Sequence, residues 1–277
     1  MNLSYLNLKK KISQKRAVKI ITGLNNFKMN EIIKVAKAAE LGGATYLDIA
    51  ADPVAVKIIK SITHLPVCVS SIDPVDLHQC VLAGADMVEV GNFDCFYENN
   101  IFFSQYEVLK LTQEIQELLN NVEICVTIPH HLLLGEQIDL AISLKNLGIN
   151  LIQTEGLSTK NCASSHNDFF ISDFTHKASS ALSSSYAITN YVDINIIASS
   201  GINAISAPIA ISYGASAVGI GSALNSCSTI HQMANYINEI VCSLSCNNEH
   251  ERSTDDLLLN IDSVDIVEIV ARSRNFF

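Results

Sequence analysis

Gly42-Gly43-Ala44-Thr45 followed by Tyr46-Leu47-Asp48-Ile49 is a helix end feeding a strand, and the same junction recurs along the chain. It returns as Gly84-Ala85-Asp86 before Met87-Val88-Glu89-Val90, as Gly148-Ile149-Asn150 before Leu151-Ile152-Gln153, and as Gly214-Ala215-Ser216 before Ala217-Val218-Gly219-Ile220. A glycine after a helical stripe supplies the left-handed residue that stops the helix, and the short connection after it leads into a strand. Working outward, the pattern extends to strands at Ala17–Thr22, Tyr46–Ala50, Val67–Ser70, Met87–Gly91, Ile124–Ile128, Leu151–Glu155, Ile196–Ser200 and Ala217–Gly221. Eight strands alternating with helical segments predict a (β/α)8 TIM barrel.

The helical segments carry the expected stripes. Ile32, Val35, Ala36 and Ala39 recur at helical spacing behind Asn30 as a candidate N-cap, and Val108, Leu111, Ile115 and Leu118 repeat the stripe in what reads as the longest helix. With 277 residues the chain fits one such barrel: residues 1–245 as the barrel with an N-terminal helix, and 246–277 as an acidic linker, Cys246 to Asp256, and a helical extension with Ile266, Ile269 and Val270 in stripe.

A hydrophobic content of 48% against 17% charged residues gives an ample core. The net charge of −10 argues against nucleic acid or an anionic membrane as partner, and the cluster Lys9-Lys10-Lys11 with Lys15 and Arg16 reads as a solvated helix face. Eight cysteines lie without paired spacing and no C-x-x-C occurs, which is the usage of reduced thiols. Neither a secretory signal nor a membrane-spanning run is expected. A homo-oligomer is left open.

Side chains alternate across a strand, so each strand divides into two sets. One set is aliphatic: Val18, Ile20, Leu47, Ile49, Val67, Val69, Val88, Val90, Ile124, Val126, Ile128, Ile152, Ile197, Val218 and Ile220. The other holds every charged side chain of the strands, Lys19, Asp48, Glu89 and Glu155, with Gln153, Ser70, Thr127, Ala198, Ser200, Gly219 and Gly221 among its members. The second set is assigned to the barrel interior. Buried charges need partners, so Lys19 is expected to bridge Asp48 and Glu89. Such a network is either purely structural or the reactive centre. In the second case Lys19, its charged form favoured by two carboxylates, is an electrostatic clamp or general acid rather than a Schiff-base nucleophile, and Asp48 or Glu89 is the base. No metal site is assigned, because Lys19 would compete with a cation.

Ser199-Ser200-Gly201 ends strand seven and Gly219-Ile220-Gly221-Ser222 ends strand eight. Barrels often bind phosphate with the loops after these two strands. Ser200, Gly201, Gly219, Gly221 and Ser222 are therefore the candidate phosphate contacts, the alternative being close packing at a barrel corner. His130, after Thr127-Ile128-Pro129, is the histidine placed in the site in preference to His131, and Glu155 stands at the strand-six mouth. Asp52 before Pro53 reads as a helix cap. Two long connections, the aromatic one from Asn92 to Phe103 and the polar one from Gly156 to Asp168, leave strand C-terminal ends.

The runs Ile20-Ile21-Thr22-Gly23-Leu24-Asn25-Asn26-Phe27, Asp48-Ile49-Ala50-Ala51-Asp52-Pro53, Val88-Glu89-Val90-Gly91-Asn92-Phe93-Asp94, Thr127-Ile128-Pro129-His130 and Gln153-Thr154-Glu155-Gly156, taken with the two Gly-rich strand ends, resemble the hypothetical chloroplast reading frame twenty-three family of algal plastids and cyanobacteria. The resemblance runs from about Arg16 to about Asn225. It implies a plastid stroma location and a ribulose-phosphate-binding-like barrel, and it assigns no catalytic residue. The functional expectation is an enzyme acting on a small phosphorylated metabolite by isomerase or lyase chemistry. An oxidoreductase holding FMN and a non-catalytic phosphometabolite-binding regulator are the alternatives, and no cofactor is certain.

Overall fold

The computed structural model describes residues 3–97, 99–119, 121–156 and 170–257, with backbone alone at Leu3, Asp94, 170–177 and 246–257. Strands β1 (Ala17–Ile21), β2 (Tyr46–Ala50), β3 (Val67–Ser71), β4 (Met87–Val90), β5 (Glu123–Ile128), β6 (Leu151–Thr154), β7 (Asn195–Ser199) and β8 (Ala217–Ile220) form a closed parallel barrel in sequence order. β1 closes it against β8, with Lys19 beside Gly219. Helices α1 (Leu3–Ser13), α2 (Met29–Leu41), α3 (Pro53–Ile62), α4 (Pro74–Leu82), α5 (Asp94–Tyr97), α6 (Gln105–Leu118), α7 (Leu134–Asn146), α8 (Phe170–Thr189), α9 (Ser206–Ser212) and α10 (Ile230–Leu257) complete the fold, with a 3-10 turn at Ser222–Ser226 after β8. Residues Met1–Leu244 form one compact unit and Ser245–Phe277 a second. No described helix is long and apolar enough to cross a membrane.

The outward faces of the strands meet the helices in one apolar core containing Val18, Leu47, Val69, Val88, Val126, Ile152 and Val218. Each large aliphatic side chain buried there contributes about 1.5–3 kcal/mol. Inside the barrel the residues stack in layers two apart along each strand. The lowest layer is apolar and takes one residue from every strand: Ala17, Tyr46, Cys68, Met87, Cys125, Leu151, Ile197 and Ala217. Leu8 of α1 packs into it from below, with Tyr5 and Ile12 beside it. One step up the strands come Lys19, Asp48, Ser70, Glu89, Thr127, Gln153, Ser199 and Gly219. An apolar plug thus carries a polar layer.

The inner face of β7 differs from its expected phase. Ile197 pairs in register with Gln153 and Ala217 and belongs to the inner layer, whereas Ala198 joins the outer core. Asn195-Ile196-Ile197-Ala198-Ser199 has apolar residues on both faces, so alternation gives no phase, and a slip of one residue exchanges the faces. Ser199, not Ser200, therefore faces inward, and Ser200 lies just past the strand with φ 80°.

The caps follow elementary rules. Asp52 accepts from Val54 N at 2.8 Å with Pro53 next to it, Asp73 caps α4 in the same way, and Ser104 with Glu107 makes a capping box on α6. Asn30 is not the cap of α2. That helix starts at Met29 behind Lys28, and it is Asn26 that accepts from the Lys28 N–H. The stretch from Cys246 to Asp256, expected as a linker, is helical through Leu257, since it holds neither Pro nor Gly to stop the helix. α10 and α8 both exceed α6 in length. The 157–168 part of the polar loop and the extension stripe at Ile266, Ile269 and Val270 lie outside the described residues.

Candidate functional site

Lys19 stands at the centre of the polar layer and is fully buried. Its ammonium has three protons and meets three acceptors: Glu89 Oε2, Asp48 Oδ2 at 2.9 Å and Gln153 Oε1 at 2.9 Å. Asp48, Ser70, Glu89, Thr127 and Gln153 are tied to one another as well. Ser70 donates to Asp48 Oδ1 at 2.6 Å, and Thr127 and Gln153 both donate to Glu89 Oε1 at 2.8 Å. Asn92, held at φ 62°, donates to Asp48 Oδ2 at 3.1 Å and Ser70 Oγ at 3.0 Å, and accepts from Gln153 Nε2 at 2.9 Å. Because Gln153 Oε1 must accept from Lys19, its Nε2 must donate, and that fixes the amide of Asn92 in turn.

Burial alone would pull the Lys19 ammonium down, but the Asp48 and Glu89 carboxylates outweigh it and hold the group well above its ordinary value. Burial pushes the Glu89 carboxyl up, with Lys19 opposing and Asp48 adding to the shift. With both oxygens of Glu89 accepting hydrogen bonds, the carboxylate is still the form this network suits. All three protons of the buried Lys19 ammonium are therefore engaged inside the barrel.

Gly91 is what brings Asn92 into this layer. Its φ is 135°, and a Cβ there would lie 2.4 Å from Thr127 Cβ, so the chain can turn over Thr127 only without a side chain. Asn92 N then donates to Thr127 Oγ1 at 3.2 Å.

A second cluster sits at the C-terminal ends of β4, β5 and β6. Tyr97 donates to Glu155 Oε2 at 2.8 Å, and His130 Nδ1 is 3.6 Å from the same oxygen. Tyr97 stands edge-on to His130 and His131 and stacks on Phe102 with centroids 5.6 Å apart. Burial, with His130 adding to it, lowers the pKa of His131. Glu155 is 5% exposed, yet among the described residues its Oε1 has no hydrogen-bond partner, and neither has Nδ1 of His130 or His131. Five such buried atoms occur among the described residues, and three are here.

At the neighbouring rim, Ser199 pairs with Gly219, whose missing side chain leaves room for Ser199 Oγ, 2.9 Å from where a Cβ would stand. Ser200 and Gly201 follow with φ 80° and 70°, and Gly221 leads into the 3-10 turn that starts at Ser222. Asn203, 8% exposed, accepts from Ile205 N at 2.8 Å and Ser206 N at 3.0 Å, which leaves its Nδ2 as a buried donor without an acceptor.

Lys19 is thus in direct contact with Asp48, Glu89 and Gln153, while Glu155 and His130 form a separate group; Ser200, Gly201, Gly221 and Ser222 lie past the ends of β7 and β8, and Gly219 sits inside β8 beside Lys19. Among the described residues no three His, Cys, Asp or Glu side chains are grouped to hold a metal ion. Asn92, Tyr97 and Asn203 escaped the sequence reading. For Asn92 the signal was a Gly-Asn pair straight after a strand, where a left-handed asparagine is common; Tyr97 and Asn203 gave none, since both act through turns whose course alternation does not reveal.

Solved structures share the barrel. (S)-3-O-geranylgeranylglyceryl phosphate synthase from Thermoplasma acidophilum, in complex with sn-glycerol-1-phosphate, superimposes with a TM-score of 0.58 at 14% identity, covering 88% of this chain and 98% of that one. The 2-keto-3-deoxy-6-phosphogluconate aldolase of Zymomonas mobilis, with 3-phosphoglycerate, gives 0.52 at 13% identity over 84% and 96%. At these identities the likeness is one of fold. Among sequences, "Uncharacterized protein ycf23" of Antithamnion sp. is 48% identical, covering 88% of this chain and 90% of that protein, and its counterpart in Pyropia yezoensis is 42% identical over 87% of each. With residues 3–250 also matching the family described as "Protein of unknown function (DUF561)", the chain belongs to the DUF561 family, alongside these ycf23 proteins.

Proposed function

We propose that this barrel is an enzyme acting on a small phosphorylated metabolite by acid–base chemistry of the isomerase or lyase kind. The observation that carries the reading is that two groups of unsatisfied or glycine-opened positions share the C-terminal barrel face. Among the described residues Glu155 and His130 have atoms without partners, and the ends of β7 and β8 offer Ser200, Gly201 and Gly221 with the spare donor of Asn203. A phosphate is an acceptor-only group, which suits backbone N–H groups at glycines, a hydroxyl and an amide donor. The reacting carbons would lie over Lys19, Asp48, Glu89 and Gln153, whose field stabilises charge developing on the substrate. His130, within reach of Glu155, moves the proton. The barrel neighbours bound to sn-glycerol-1-phosphate and 3-phosphoglycerate support the substrate class. The family resemblance supports a plastid origin with the stroma as compartment, for which fractionation of chloroplasts is the check.

The test is phosphate binding followed by turnover. Phosphate monoesters should raise the melting temperature, because a ligand that binds only the folded state stabilises it. Gly221→Val should abolish the shift while circular dichroism stays unchanged. Once a substrate is found, His130→Gln should slow turnover about 10²–10⁴-fold. The reading falls if neither inorganic phosphate nor any monoester shifts the melting temperature of the intact protein.

A further inference from the structure

The four charged side chains buried in the described barrel are one ammonium, Lys19, and three carboxylates, Asp48, Glu89 and Glu155. Lys19 is fully used by the first two carboxylates and Gln153, and among the described residues Glu155 has no cation of its own beyond the approach of His130 at 3.6 Å. One oxygen of Glu155 is engaged by Tyr97, while the other is buried and empty-handed. A buried carboxylate oxygen without a donor costs about 1–3 kcal/mol, so a partner is due at that atom. By strand parity Glu155 follows Gln153 on the inner side, because Thr154 between them faces outward to Ala181 O of α8. Its carboxylate accordingly lies at the mouth, beside the rings of Tyr97, His130 and, through Tyr97, Phe102.

We propose that the ligand is zwitterionic: a phosphate ester whose far end is a protonated amine seated on Glu155 Oε1. This rests on the phosphate reading above and deepens it. A hydroxyl would satisfy the hydrogen bond and leave the charge. Bringing a phosphate dianion into a mouth already one to three in favour of carboxylates adds repulsion, which an ammonium on the same ligand cancels at the place where the surplus lies. The Tyr97 and Phe102 rings form an aromatic wall, a neighbour that tolerates an organic cation better than a strongly hydrated one. Glu155 divides its work: Oε2 accepts the Tyr97 O–H hydrogen bond with His130 Nδ1 3.6 Å away, and Oε1 accepts the ligand N–H.

The experiment measures binding to the intact protein by calorimetry for aminoalkyl phosphates of increasing chain length, each matched with the hydroxyalkyl and alkyl phosphate of the same length. At one chain length the amine should bind at least about tenfold more tightly than both of its matched partners. Glu155→Gln, which keeps the size and removes the charge, should erase that preference and, by easing the repulsion, leave the alkyl phosphate bound at least as tightly as before. Equal affinities within every matched set, or a preference for the hydroxyl, overturn the amine while leaving phosphate binding in place. A preference that survives Glu155→Gln overturns the assignment to Glu155. Failure of all ligands and of inorganic phosphate overturns both this inference and the reading beneath it. Should the Gln variant not fold, Glu155→Asp, which withdraws the carboxylate by one methylene, must still weaken the preference.

Discussion

The two polar clusters of the barrel lie one step apart along the strands and differ in completeness. In the Lys19 layer each charged group has its acceptors and donors filled by side chains of six strands and Asn92. In the Glu155 cluster a carboxylate oxygen and two imidazole nitrogens are buried without partners. A filled network is finished when the chain folds, whereas an unfilled one waits for something the chain lacks. On the proposed reading the inner layer is framework and field, and the outer cluster is where the ligand is held.

Lys19→Met gives the sharpest break between them. It orphans Asp48 and Glu89 together, and loss of one partner of a buried ion pair costs about 3–5 kcal/mol. Urea denaturation should read that loss. Glu89, already pushed up by burial, loses the opposing ammonium in this variant. A carboxyl whose folded pKa is raised stabilises the fold most when protonated, so the variant should recover stability as pH falls from neutrality toward about 4.5, the unfolded value. Unchanged stability at neutral pH would mean that the network is not what holds the barrel centre.

The same substitution in each cluster comes next. Glu89→Gln turns an acceptor facing Lys19, Thr127 and Gln153 into a mixed group and should cost about 2–4 kcal/mol. Glu155→Gln removes an unpaired buried charge and should be neutral or stabilising by about 1 kcal/mol. Equal costs for the two would erase the contrast. Of similar size is Tyr97→Phe, expected to lower stability by about 1 kcal/mol through the lost bond to Glu155 Oε2, with the change read as a shift in melting temperature.

The helix-to-strand junctions at Gly43, Gly84, Gly148 and Gly214 made the barrel legible, and all four glycines adopt positive φ. Alternation then sorted the strands wherever one face was aliphatic and the other polar, as in Val18-Lys19-Ile20 or Val88-Glu89-Val90. It fails at Asn195-Ile196-Ile197-Ala198-Ser199, whose two faces look alike, so alternation points to Ser200 where the structure turns Ser199 inward. Lys19, Asp48, Glu89 and Gln153 could be grouped because strand order and parity place them in one layer. That His130 and Glu155 meet each other rather than that layer depends on Tyr97, whose position follows from a short helix, α5, that no alternation announces.

By itself the sequence determined the barrel, the aliphatic coat beneath the helices and the polar set inside, because each rests on local periodicity and on glycines that end helices. Tertiary structure alone decided which of the inward groups are satisfied. Hydrogen bonding across the barrel joins residues as far apart as Lys19 and Gln153, and whether an oxygen finds a donor is settled to within tenths of an ångström by the register of strands that are distant in the chain.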